Sequence, residues 1–181
     1  YLEEKIKEYA DDLVKSLNQY SFKTWRWFES DLNYNNALLP ESLLIAGKTL
    51  NNEDYKESGL ASLDFLIGKT FSKIYKPIGH SKWYKNNEER SEYDQQPEDP
   101  ASMITTLYQA YEITHDEKYI KNANLCFSWF LGNNSLRKPV YDSISGGCFD
   151  GLHPDRVNLN QGAESLVSYL MSSILITKLN S

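Results

Sequence analysis

Cysteine is scarce. Cys126 and Cys148 are the only two in 181 residues, too few for a disulfide framework. Cys126 falls inside a helical pattern, where a thiol acts as a small buried apolar group. Cys148 follows Gly146-Gly147 in a loop, and a nucleophile there would need a neighbouring base that no His is placed to supply. Histidine is limited to His80, His115 and His153. Cys148 with His153 falls short of the three or four protein ligands that zinc takes, so no metal and no other cofactor is expected. His115 reads as a helix-end residue. No apolar run approaches the ~18 residues of a membrane span. The net charge is −6 with Lys and Arg scattered, which excludes the concentrated basic face that nucleic-acid binding needs. Gly146-Gly147 is not a phosphate loop, because no strand precedes it and no Gly-Lys-Ser/Thr follows. The few cysteines fit a cytoplasmic location without demanding it.

Aromatic residues are plentiful, with 13 Tyr and 4 Trp. They serve either as core filler or as stacking platforms for sugar rings, since Tyr and Trp join a flat apolar face to a hydrogen-bonding edge. Trp27, Tyr34, Trp83 and Tyr93 sit beside polar clusters and suit the second role. Trp129 suits the core.

Apolar positions spaced by helical turns predict an all-α chain. Residues 2–19 carry one apolar stripe on a charged helix. Residues 38–50 are apolar nearly all round, as expected of a helix buried on most sides. Residues 53–68 and 116–132 are amphipathic and repeat one another's offsets, Tyr55, Phe65, Leu66, Gly68 against Tyr119, Trp129, Phe130, Gly132. Residues 98–114 and 161–179 are again apolar. The pattern is about three hairpins, each a solvated helix, a loop and a more buried helix, at a period of roughly 53–64 residues. Such repeats stack, each covering its neighbour's apolar face. The loops before the buried helices should gather at one end.

Those loops hold the candidate site. Tyr93-Asp94-Gln95-Gln96-Pro97 offers donors, acceptors and one acid-base group within five residues. Pro97 then opens a helix whose first turn holds Glu98 and Asp99, where negative charge suits the macrodipole. Glycoside hydrolysis needs two carboxylates flanking the bond. Asp94, oriented by the neighbouring Gln95 and Gln96, is the expected acid-base group, and Glu164, one turn into the last helix, its partner. The competing reading has both carboxylates holding loops by accepting backbone N–H groups. Glu29, Asn35, His80, Asp150, Asn160 and Gln161 complete the set suited to sugar hydroxyls, although caps and turns account for many of the same residue types.

Taken together, Trp27-Phe28-Glu29, Tyr34-Asn35-Asn36-Ala37-Leu38-Leu39-Pro40, Tyr93-Asp94-Gln95-Gln96-Pro97, Gly146-Gly147-Cys148-Phe149-Asp150-Gly151 and Asn160-Gln161-Gly162-Ala163-Glu164-Ser165 resemble the six-hairpin (α/α) toroid superfamily. More narrowly they are similar to helical domains attached to, or encoded beside, microbial glycosyltransferases. The resemblance implies an (α/α) barrel with a sugar-binding cleft at the loop end, here half a toroid or an open arc. It also implies a saccharide ligand and, as partner, a glycosyltransferase domain or a second copy. The chain opens on Tyr1 with a helix already under way, and residues 1–181 read as a single domain forming the C-terminal part of something longer. The alternative function is a non-catalytic accessory or assembly module of a glycosyltransferase.

Overall fold

A computed structural model describes all of residues 1–181. Six helices carry the fold: α1 (Leu2–Tyr20), α2 (Leu38–Thr49), α3 (Glu53–Thr70), α4 (Glu98–Thr114), α5 (Glu117–Phe127) and α6 (Ala163–Leu179). Two-residue strands brace the loops. β1 (Asp31–Leu32) pairs antiparallel with β2 (Tyr84–Lys85), and β3 (Gly151–Leu152) with β4 (Val157–Asn158). The chain is an all-α, toroid-like array of helical hairpins. None of the helices is long and apolar enough to cross a membrane.

Local chemistry sets the helix ends. The Asn52 side chain accepts from Tyr55 N at the start of α3, and Asp116 from Lys118 N at the start of α5. His115 closes α4 in the left-handed conformation, φ 54°, as its position at a helix end suggested. The turns 50–52 and 115–116 are therefore short, and they tie α2 to α3 and α4 to α5 as the tightest pairs. This revises the expected pairing, because an inner helix is joined closely to the outer helix that follows it. Long loops make the other connections.

Helix α2 packs on α1, α3 and α4, while α4 packs on α2, α5 and α6. The inner row is thus α2, α4, α6. The core lies between this row and the outer helices, filled by Leu43, Leu44, Leu63, Leu66, Met103, Ile104, Leu107, Trp129 and Phe130. Helix α6 turns Ser165, Ser168 and Ser172 inward, and such small side chains let it approach α4 closely. Its outer side chains Val167, Leu170, Met171 and Ile174 are each about half exposed. The last helix, expected to be buried, thus shows solvent an apolar stripe.

The stretch 93–97 runs between the two long loops. Its backbone oxygens at Tyr93 and Asp94 accept from Ser81 N and His80 N, and Gln95 exchanges both backbone bonds with Leu152 at 3.0 and 2.9 Å. The contact requires glycine on both sides. A Cβ on Gly79 would lie 2.2 Å from Tyr93 N, and one on Gly151 would lie 2.1 Å from Gln95 O.

Candidate functional site

Two cavities open side by side at the loop end. The larger, about 520 Å³, is walled by the N-terminal halves of the inner row. Helical spacing puts Leu38 and Glu41 on one face of α2, and Glu98, Ala101, Ser102 and Thr105 on one face of α4. Ala163, Glu164, Val167, Ser168 and Met171 complete the wall from α6, and Asn35 closes it from the preceding loop. The smaller cavity, about 260 Å³, is bordered by Gln96, Asp150, Asn158, Gly162 and Ser165. Glu98, Ala163 and Glu164 border both cavities. The two carboxylates therefore stand where the cavities meet.

Their surroundings make this a strongly acidic corner. Burial, reinforced by the charges of Glu164 and Asp99, raises the Glu98 carboxyl above its ordinary value against a bond from its own backbone N–H. One Glu98 oxygen, Oε2, is buried without a hydrogen-bond partner. Burial alone pushes Glu41 up to about 7. Tyr34 is pushed up to about 12 by burial and then by the Glu98, Glu164 and Asp99 charges.

Behind the corner, the buried Asp99 accepts from Asn35 N at 3.1 Å and pairs with His80 Nε2 at 2.9 Å. Burial lowers the His80 pKa, but the bond to Asp99 and the surrounding acids outweigh it, so the imidazole is raised overall. Burial likewise raises Asp99 against the bonds it accepts. The Tyr34 and His80 rings meet edge to face at 5.1 Å.

Asp150 ties the smaller cavity to α6. Its Oδ1 accepts from Gly162 N at 2.8 Å and Ser165 Oγ at 2.7 Å, and its Oδ2 accepts from the Asn160 amide. Burial works to raise this carboxyl, but the three donors together lower it. It caps α6 from across the loop.

The structure thus brings Asn35, Gln96, Asp150 and Glu164 to the cavities, with Tyr34 and His80 behind them. Other expected residues lie elsewhere. Trp27 is 0% exposed, packed on Phe28 and Phe65, so its face is closed to a sugar ring. Gln95 is also fully buried: its Oε1 accepts from Trp129 Nε1 at 2.8 Å, and its Nε2 donates to Glu92 O and Ser135 Oγ. It holds two loops together and does not orient Asp94.

Asp94 instead meets His153 Nδ1 at 2.6 Å and borders neither cavity. Glu29, Trp83, Tyr93, Asn160 and Gln161 also lie outside both linings. Glu29 accepts from Asn33, Asn160 donates to Asp150, and Gln161 donates to Asp142 and Ser145. Cys148 is buried and its thiol is pushed up to about 12, chiefly by that burial, which leaves it unreactive. No group of three or more His, Cys, Asp or Glu side chains is placed to hold a metal ion.

Sequence reasoning overlooked Glu98 and Glu41 as site residues. Glu98 passed as ordinary helix-dipole compensation. Glu41 carried a readable signal, being the only charged residue in the first two turns of an otherwise apolar helix.

No protein-family model matches the sequence, and no curated protein matches it. Among solved structures, the chain is similar to a family 76 glycoside hydrolase from a bovine Bacteroides thetaiotaomicron strain. The TM-score is 0.55 at 17% identity, over 80% of this chain and 33% of that one. The chain therefore spans about a third of the length of that structure, and the likeness shows a shared helical toroid-like architecture.

Proposed function

We propose that this chain is a carbohydrate-active domain that binds a saccharide across its two loop-end cavities and acts on a glycosidic bond between Glu98 and Glu164. The observation that carries the reading is the placement of these two carboxylates where the cavities meet. Burial and neighbouring charge raise the Glu98 carboxyl above its ordinary value, the direction that suits a group that protonates a leaving oxygen. Glu164, exposed at the first turn of α6, suits the carboxylate that activates water or attacks the sugar. Ring faces would rest on Leu38, Val167 and Met171, while Gln96, Asn158 and Asp150 meet hydroxyls. The structural neighbour, a glycoside hydrolase, supports the same class of substrate.

Calorimetry with a panel of mono- and disaccharides tests binding, and turnover of the tightest binder tests chemistry. Glu98→Gln should retain binding and lose turnover by about 100-fold or more, the usual weight of a general acid. Unchanged turnover would remove Glu98 from the mechanism. The absence of binding by every sugar would remove the saccharide.

A second reading, an accessory module that assembles, is favoured by the exposed stripe of α6. Between Glu164 and Lys178 that helix carries no charge, so two copies could meet stripe to stripe in an isologous contact. Association beside a glycosyltransferase rests on the sequence resemblance. Sedimentation should then show a dimer that Leu170→Lys with Ile174→Lys dissociates; a monomer at all concentrations would sink this reading.

A further inference from the structure

The larger cavity is lined by three acids and by no base. Glu41, Glu98 and Glu164 border it, and no Lys, Arg or His does. Glu41 is 9% exposed, and burial is what raises its carboxyl; no Lys, Arg or His shares the cavity wall with it. A side chain this buried as a whole, with no protein partner and its carboxyl bordering an open cavity, leaves a place for a donor that a ligand can supply. Glu98 Oε2 is fully buried without a partner. The acids are also spread out. Glu98 and Glu164 act on one another, Glu41 stands apart from both, and no cluster converges on a metal ion.

The matching ligand is therefore polyatomic, with a cationic end for Glu41 and a hydroxyl-bearing body. Closing the cavity over a neutral ligand would strip water from the Glu41 carboxylate or force a proton onto it, whereas an ammonium group supplies charge and three donors at once. The apolar side chains Leu38, Val167 and Met171 suit the C–H face of a ring. Building on the saccharide reading above, we propose that the ligand is an amino sugar with a free, unacylated amine, whose ammonium group docks on Glu41.

Calorimetry on the intact chain at pH 7 with glucosamine, N-acetylglucosamine, glucose and cyclohexylamine tests this. Glucosamine should bind more tightly than either neutral sugar by about tenfold or more, the worth of one charge-assisted bond. Glu41→Gln should erase that preference, so that glucosamine and glucose bind the variant equally. A thermal melt of the variant confirms that it folds. Neutral sugars binding as tightly as glucosamine, or a preference that survives in Glu41→Gln, would overturn the amine while leaving the saccharide reading standing. Cyclohexylamine matching glucosamine would leave the ammonium site standing and sink the sugar. No binding by any of the four would overturn both.

Discussion

Glu41 stands one turn into α2, among leucines, with its carboxyl deep beside the cavity. A carboxyl raised from 4.5 to about 7 by burial favours the folded state only while protonated. The contribution is fully present below about pH 4.5 and is lost as pH rises through about 7, and a shift of this size corresponds to about 3 kcal/mol. Glu41→Gln keeps the shape and removes the titration. Urea midpoints measured at pH 5 and pH 8 should show the variant gaining on wild type at the higher pH; parallel behaviour at both values would contradict the burial argument. Glu41 and Glu98 also show what a sequence conceals. Periodicity placed both on helices, but whether a carboxyl faces water or a wall of leucines depends on neighbours from two other helices. Trp27 failed the opposite way: its polar sequence neighbours suggested a surface, and Phe65 of α3 covers it.

At the scale of elements, the helices were legible because each carries its own signal. Residues 98–114 read as a helix in sequence and form α4 over those same residues. The paired strands were not legible, since two residues have no period to detect. Nor was the capping of α6, because Asp150 and Gly162 approach only when the loop folds back. Asp150→Ala removes the acceptor for Gly162 N and Ser165 Oγ and should cost about 1–2 kcal/mol. Asp150→Asn, a competent cap, should restore most of it. Equal urea midpoints for wild type and Asp150→Ala would show the cap to be dispensable. Gly151→Ala is a harsher change, placing a Cβ 2.1 Å from Gln95 O at φ +139°. It should break the Gln95–Leu152 bridge and lower Tm by more than the loss of the cap does, while far-UV circular dichroism still reports the wild-type helical content.

For the whole molecule, residues 93–97 add a second tie between the halves of the chain, beside the packing of α2 on α4. Through Gln95 this stretch touches Trp129 just past α5, Ser135 and Leu152, and through its backbone it holds the 79–81 loop. The two halves of the chain should therefore unfold together, as one domain. Gln95→Ala leaves Trp129 Nε1 buried without an acceptor, at about 1–3 kcal/mol, and should loosen that coupling. The transitions followed by circular dichroism and by Trp emission, coincident in wild type, should then separate. If they remain coincident in the variant, the coupling is carried by the helix packing alone.

The four tryptophans divide unevenly between interior and surface. Trp25, Trp27 and Trp129 are almost wholly enclosed, and Trp83, at 42% exposure, sits on the loop after His80. The molecule thus carries its own optical label. Three indoles emit from a dry interior and one from water, so iodide should extinguish a single red-shifted component and leave the blue remainder untouched. Since Trp83 stands three residues from the imidazole that backs the acidic corner, a solute settling there has a built-in reporter nearby, and no dye need be attached to see it.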